Sequence, residues 1–226
     1  MEVPLKDVSE VIEFKLPRAY VGSSGTRSKR LLDITGALLA AVLALPLGLL
    51  IVILIKLDSR GAVLFTQPRM GRHGRCFKMV KFRTMHLNAE AHLDAILHAN
   101  PALKEEYETY HKLQQDPRVT RIGRLLRKYS LDELPQLWNI LKGDMSLVGP
   151  RPYLPEERPR MNGAEREILN VTPGLTGFWQ VYARNGVCFQ ERVHMDIYYI
   201  RIRSIWMDVL LLFRTIGVVL NGKDAS

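Results

Sequence analysis

Two adjacent carboxylates, Asp132 and Glu133, stand among Arg121, Arg124, Arg127, Lys128 and Arg151 in the stretch DPRVTRIGRLLRKYSLDELPQLWNILKGDMSLVGPRP, Asp116 to Pro152. A phosphoryl group in transit needs the charge on its oxygens neutralised by Arg, Lys or a divalent metal, and a carboxylate supplies either a nucleophile or a metal ligand. The pattern therefore suits phosphate chemistry. A quieter reading stays open beside it. Ser130-Leu131-Asp132-Glu133 fits the S-x-x-E capping box, in which Ser130 and Glu133 satisfy free amides at a helix start. Pro135 would then lie inside the helix and remove a hydrogen bond, so a start near Pro135 itself is easier. In either register the pair lies near a positive helix end, which favours bound phosphate. The patterns GxxxxGK[ST], GxSxG, HExxH and CxxC are absent from the sequence, which removes the common P-loop, serine-hydrolase, zinc-protease and dithiol chemistries.

The elements that must position these residues can be read from periodicity. TRIGRLLRKY predicts one amphipathic helix and LDELPQLWNILKG another that stops at Gly143, while the chain beyond Pro150 is rich in prolines and turns. AVLFTQPRMGRHGRCFKMVKFRTM places β-branched and aromatic residues around a Gly-rich turn, which predicts a hairpin between about Val63 and Met85. NAEAHLDAILHANPALKEEYETYHKL predicts two surface helices broken at Asn100-Pro101. The expected class is mainly α with a small β-hairpin. With 226 residues and 47% hydrophobic content the chain can bury a core and is not a disordered protein. Thirty-two Lys and Arg against 23 Asp and Glu give a net charge of +9, suiting a partner rich in phosphate: anionic lipid, nucleic acid or a nucleotide. Cys76 and Cys188 are too few and too far apart for a disulfide framework or a zinc site, and are read as inert thiols in a reducing compartment.

From Ile34 to Ile55 no charged residue occurs for 22 positions, and as a helix this run would reach about 33 Å, enough to meet a membrane. Pro46 near its middle, with Gly48 behind it, predicts a kink. Basic residues flank both ends, Arg27, Lys29 and Arg30 before and Lys56 and Arg60 after, whereas a single crossing predicts asymmetry. Three arrangements fit: a helix that enters, bends at Leu45-Pro46 and returns; a kinked span; and a buried core helix. Near the end, IYYIRIRSIWMDVLLLFRTIGVVL mixes apolar residues, Trp206 and Phe213 with Arg201, Arg203 and Arg214. It reads either as a helix lying in the membrane interface or as an amphipathic helix packed on the domain. Asp208 within it is expected to pair with an arginine such as Arg201 or Arg214.

KFRTM (Lys81 to Met85), the long stretch from Asp116 to Pro152, and PGLTGFWQV (Pro173 to Val181) together resemble the bacterial sugar transferases, the monotopic polyprenyl-phosphate phosphoglycosyltransferases. The similarity runs from about Lys29 to Gly222. It implies an enzyme of the bacterial inner membrane, with its catalytic domain on the cytoplasmic face. Asp132 would attack the sugar-bearing phosphorus of a UDP-sugar, expel UMP and carry the phosphosugar until polyprenyl phosphate, of the undecaprenyl kind, takes it. Glu133, with Asp132, is implied to hold Mg2+, and Arg151 in Gly149-Pro150-Arg151-Pro152 to contact the substrate phosphates or nucleotide. The resemblance also implies a re-entrant helix hinged at Pro46.

Lys81, Arg83, Arg127 and Arg184 are weaker candidates for phosphate or headgroup ligands, with structural ion pairs as the alternative. His194 and Asp196 could bind substrate, though packing or hydrogen bonding is the commoner use of a lone His. The expected layout is a polar tail over 1–30, a membrane helix-break-helix over 31–57, a catalytic domain over 58–200 and an interfacial helix and tail over 201–226. Membrane lipid and a second copy of the chain are further expected partners, and nucleic acid is not. The acidic insert between Asn88 and Gln115 resembles the branch acting on galactose- or glucose-1-phosphate in exopolysaccharide and lipopolysaccharide assembly. WQVYARN departs from a serine and glycine common in the family before the arginine. Larger members carry further domains, so the chain is read as the catalytic unit alone.

Overall fold

The computed structural model describes residues 26–110, 113, 116–183 and 187–221; Arg184 and residues 1–25 of the tail expected over 1–30 lie outside the described residues, and 26–30 are helical rather than tail. The apolar run belongs to one helix, α1 (Thr26–Asp58), with Pro46 inside it. Strands β1 (Leu64–Met70) and β2 (Cys76–Phe82) form the expected hairpin, antiparallel from Leu64 opposite Phe82 to Met70 opposite Cys76. Helices α2 (Ala89–Ala99) and α3 (Pro101–Tyr110) are separated where the sequence predicts, with Asn100 Oδ1 accepting from the Ala102 amide. Pro101 opens α3 because a first-turn residue needs no intrahelical amide bond.

Helix α4 (Arg121–Lys128) is capped by Thr120, whose hydroxyl accepts from Gly123 N at 2.9 Å. Helix α5 (Gln136–Lys142) follows Pro135 and ends at Gly143, whose φ of 95° supplies the left-handed turn. Beyond it, β3 (Ser146–Val148) pairs in parallel with β4 (Gly174–Thr176), a second sheet that the sequence reading did not include. These strands have three residues each, with no alternation to announce them. Helices α6 (Glu165–Ile168), α7 (Phe178–Tyr182), α8 (Phe189–Ile202) and α9 (Ile205–Asn221) complete the fold.

One core joins α1, α5, both strand regions and the last helices through Ala37, Met79, Ile140, Val148, Phe178, Tyr199 and Leu211. A second, of Ile51, Ile55, Phe82 and Leu126, ties the end of α1 to β2 and α4. Both ends of α1 are thereby fastened to the same body. At its start, Asp33 Oδ1 accepts from Ser146 Oγ and Leu147 N, each at 3.0 Å, and Arg30 donates to the carbonyls of Ile140 and Leu141 at the end of α5. At its close, Asp58 Oδ2 accepts from Ile122 N in the first turn of α4 at 3.1 Å. Between these anchors Leu38, Leu39, Val42, Leu43, Leu45, Leu49 and Leu50 are exposed. Among the described residues α1 is the one helix long and apolar enough to cross a membrane, and only 11% of its apolar window is buried, which is not how a core helix behaves.

Asp208 does not pair with an arginine. Its carboxylate meets Lys29 Nζ at 2.9 Å and accepts from Tyr199 OH at 2.6 Å. Lys29 also holds Asp33 at 2.9 Å, so this cation from the first turn of α1 serves two buried carboxylates. Arg201 instead binds Glu167, and Arg214 lies 4.8 Å from the Tyr182 ring centre. On α9, Trp206 and Phe213 are exposed, 74% and 70%, beside the exposed Ile216.

Candidate functional site

The carboxylate pair sits on a short 3-10 turn, Leu131–Glu133, between α4 and α5. Ser130 takes a left-handed conformation, φ 52°, and makes no capping bond, so the capping box that the sequence permits does not form. Glu133 is instead bound by Lys81 Nζ at 2.6 Å, and Asp132 Oδ2 lies 3.9 Å from the same ammonium. Lys81 arrives from β2, which α5 holds in place: Asn139, buried, accepts from Val80 N at 3.0 Å and donates to Lys78 O at 2.9 Å. A strand and a helix are thus locked together directly behind the site.

Arg127 approaches from α4, its Nε donating to Thr84 Oγ1 at 3.0 Å. That approach needs Gly123, because a Cβ there would collide with the Thr84 carbonyl. Arg83 turns the other way, its guanidinium donating to the carbonyls of Ser59 and Arg60 and closing the end of α1. Of the cations singled out in the sequence, Lys81, Arg127 and Arg151 are therefore brought to the pair's surroundings, and Arg83 is not. His194 is exposed on α8, one turn from the site's buried side chains.

A cleft beside the pair is lined by Lys81, Glu133 and Arg151 together with Arg69, Gln136 and Gln180, none of which the sequence reading singled out. Arg69, buried, clamps the Pro-Arg-Pro loop to the hairpin by donating to Pro152 O at 3.1 Å and Gln67 Oε1 at 2.7 Å. Burial, and then the Arg151 charge, pull its guanidinium down to about 10. Arg151 and Arg192 lie 5.6 and 5.0 Å from the Trp179 ring centre. Behind them the fully buried Asp196 accepts from Tyr153 OH at 2.8 Å and Arg151 N at 3.3 Å. Burial pushes its carboxyl up to about 7, against the pull of those bonds and of Arg151. Asp196 therefore fixes the loop that carries Arg151.

Desolvation dominates the pair itself. Burial lifts Asp132 from 3.8 to about 6, Lys81 pulls it down, Glu133 raises it and Arg127 lowers it. Burial also acts to raise Glu133, but the Lys81 ammonium, followed by Arg151 and Arg69, outweighs it and holds Glu133 below its ordinary value. The result is one carboxylate bonded closely to a cation and a second that is nearly dry, reluctantly charged and paired with the same ammonium only at 3.9 Å. Of the two, that second group is the one whose surroundings suit a nucleophile.

Several buried polar atoms of residues lining the cleft have no hydrogen-bond partner among the described residues: Nε of Arg69, Nε2 of Gln136 and Oε1 of Gln180. Each such atom costs on the order of 1–3 kcal/mol, which a ligand can return. Excess positive charge points the same way. Arg69, Arg151 and Lys81 line one small cleft with Glu133 the only carboxylate among the described residues that line it, an arrangement short of negative charge that a diphosphate would supply. For a divalent cation, no group of three or more His, Cys, Asp or Glu side chains is assembled among the described residues. Asp132 and Glu133 alone fit Mg2+, which is commonly held by one or two carboxylates plus substrate phosphates.

The sequence matches the family model described as bacterial sugar transferase over residues 24–222. The chain is 42% identical over 216 residues to the UDP-galactose-lipid carrier transferase of Erwinia amylovora, covering 96% of this chain and 45% of that protein. It is 44% identical over 201 residues to the exopolysaccharide production protein ExoY of Sinorhizobium fredii, covering 89% of each. It is 40% identical to the undecaprenyl-phosphate galactose phosphotransferase of Salmonella typhimurium, covering 96% of this chain and 45% of that protein. The chain spans just under half the length of the Erwinia and Salmonella relatives. With a family match that runs over most of its length and contains the whole of the site, this chain belongs to the bacterial sugar transferase family.

Proposed function

We propose that the chain transfers a hexose-1-phosphate from a UDP-sugar to undecaprenyl phosphate, releasing UMP, in the first membrane step of polysaccharide assembly. The observation that carries this reading is Asp132, a buried carboxylate paired only at 3.9 Å with Lys81, beside a cleft rich in cations. The names of the Erwinia and Salmonella relatives suggest the donor class and the lipid acceptor, with galactose as the first sugar to try.

In the first step an Asp132 oxygen attacks the phosphorus that bears the sugar. The bond from that phosphorus to the bridging oxygen breaks, and UMP departs with the electron pair. The carboxylate now carries the phosphosugar as an acyl phosphate. A phosphate oxygen of the lipid then attacks the same phosphorus, and Asp132 leaves as a carboxylate. Lys81, Arg151 and Arg127 neutralise charge that gathers on the phosphorus oxygens. Glu133, with Asp132, would hold Mg2+, which when bound neutralises charge on the diphosphate.

The way α1 is fastened supports a re-entrant membrane arrangement. Lys29, Arg30 and Asp33 near one end and Ile51, Ile55 and Asp58 near the other all bind one polar body. A bilayer cannot pass between two ends joined to the same body, so the exposed apolar middle around Pro46 dips into the lipid and returns. The exposed Trp206 and Phe213 of α9 rest at headgroup depth. The cytoplasmic face of the inner membrane is where UDP-sugars and the lipid phosphate meet, and the isoprenoid stays in the bilayer while its phosphate reaches Asp132.

Attack requires ionised Asp132, so kcat/KM falls by up to tenfold per pH unit below about 6 and levels off above it. Initial rates between pH 5 and 8 measure this limb. The reaction class is tested by the nucleotide product. With UDP-hexose, undecaprenyl phosphate and Mg2+, the wild-type protein should release UMP. Release of UDP would mean cleavage on the sugar side and an ordinary glycosyltransferase.

A further inference from the structure

The three atoms without a partner among the described residues belong to side chains that line the cleft, and they differ in kind. Arg69 Nε and Gln136 Nε2 donate, whereas Gln180 Oε1 accepts. Gln180 is fixed in that sense because its Nε2 already donates to Leu175 O at 3.3 Å. Gln136 is 2% exposed and Arg69 7%, so neither finds its partner in bulk water. A hydroxyl group answers both demands, since one oxygen accepts from an N–H while its own proton goes to a carbonyl.

We propose that Gln136, Gln180 and the Nε of Arg69 form a hydroxyl-recognition subsite for the sugar ring of the donor, and so set which hexose is used. This rests on the transfer reaction proposed above. Placement favours the sugar over the uridine. Gln136 lies three residues after Glu133, one turn further along the chain, and the two line the same cleft. The sugar is joined to the attacked phosphorus through a single oxygen. The uracil is separated from that phosphorus by a second phosphate and a ribose. No aromatic residue is among the described residues lining the cleft, whose apolar walls are Met79, Pro152 and Leu175. A planar base would call for a stacking ring; a polyol needs only matched donors and acceptors beside small apolar contacts.

The experiment compares the wild-type full chain with Gln136→Leu and Gln180→Leu. It uses UDP-galactose, UDP-glucose and their monodeoxy analogues as donors, with UMP as an inhibitor lacking the sugar. Each variant is expected to lose about 10- to 100-fold in kcat/KM for the preferred UDP-hexose while the UMP inhibition constant stays within about twofold. At least one monodeoxy donor that is poor for the wild type should lose little further in a variant, because the bond it lacks is already gone. Thermal unfolding reports whether each variant is folded. Should Gln136→Leu unfold, Gln180→Leu reads the same quantity from a half-buried side chain. Parallel loss of UMP and donor affinity in a folded variant overturns the proposal and makes the cleft a nucleotide pocket. Unchanged kcat/KM in both variants overturns it too, leaving these amides a purely structural role. If the wild type releases no UMP from any UDP-hexose, the transfer reading itself falls, a result distinct from a normal wild type with indifferent variants.

Discussion

Asp132→Asn is expected to lose sugar-phosphate transfer by roughly 10⁴-fold or more, the scale of nucleophile removal in enzymes that work through a covalent intermediate. The amide keeps the shape of the carboxylate but cannot form the acyl phosphate. Membrane association should be unchanged, because the substitution leaves the exposed apolar side chains of α1 and α9 untouched. The same substitution should make the protein more stable. Lifting the carboxyl from 3.8 to about 6 means that ionising it in the folded chain costs on the order of 1–3 kcal/mol more than in the unfolded chain. That penalty is present above about pH 6 and fades as the pH falls toward the ordinary value of 3.8. The variant should therefore unfold at a higher temperature than the wild type at pH 8, with the gap closing at pH 5. Thermal unfolding at the two pH values checks the sign. A folded variant that turns over at the wild-type rate removes Asp132 as the nucleophile.

The second large effect is expected from Lys81→Met. Lys81 is bonded to Glu133 at 2.6 Å and lies 3.9 Å from Asp132, and it is the largest influence holding Asp132 down against burial. Without it two neighbouring carboxylates share a poorly hydrated site with their nearest cation gone. Loss of one preorganised charge of this kind costs about 100- to 1,000-fold in kcat. Because Asp132 then ionises less readily, the acid limb of the pH profile should move above its wild-type position near pH 6, and activity should partly recover at higher pH. A purely structural lysine would lower activity equally at every pH. Initial-rate profiles of the two proteins between pH 5 and 9 separate the cases.

What the sequence made legible follows from how local each signal is. The charge-free run of α1, the hairpin's Gly-rich turn, the break at Asn100-Pro101 and the stop at Gly143 are each decided by a few neighbouring residues, and each stands where expected. The carboxylate pair was visible because its two members are adjacent. The capping box failed for a local reason that sequence does not display, the left-handed backbone at Ser130. The strands β3 and β4 were missed because three-residue strands, buried and without alternation, carry no periodic signal. Arg69, Gln136 and Gln180 were missed because only the folded chain brings the hairpin, α5 and α7 around one cleft. The partner of Asp208 was misjudged toward arginines close in sequence, whereas the fold brings Lys29 from the far end of the chain. Arg83 looked like a phosphate ligand by proximity to Lys81, but β2 ends at Phe82, between the two, so strand alternation does not carry over to Arg83, which closes α1.

The central claim is a covalent phosphosugar on one side chain. Incubating the protein with UDP-hexose alone, quenching rapidly and digesting it for mass spectrometry tests this directly. The account predicts one equivalent of hexose-phosphate on the peptide containing Asp132, lost on addition of undecaprenyl phosphate and absent from Asp132→Asn. Stoichiometric UMP release with no adduct on that peptide, or with an adduct elsewhere, would contradict it.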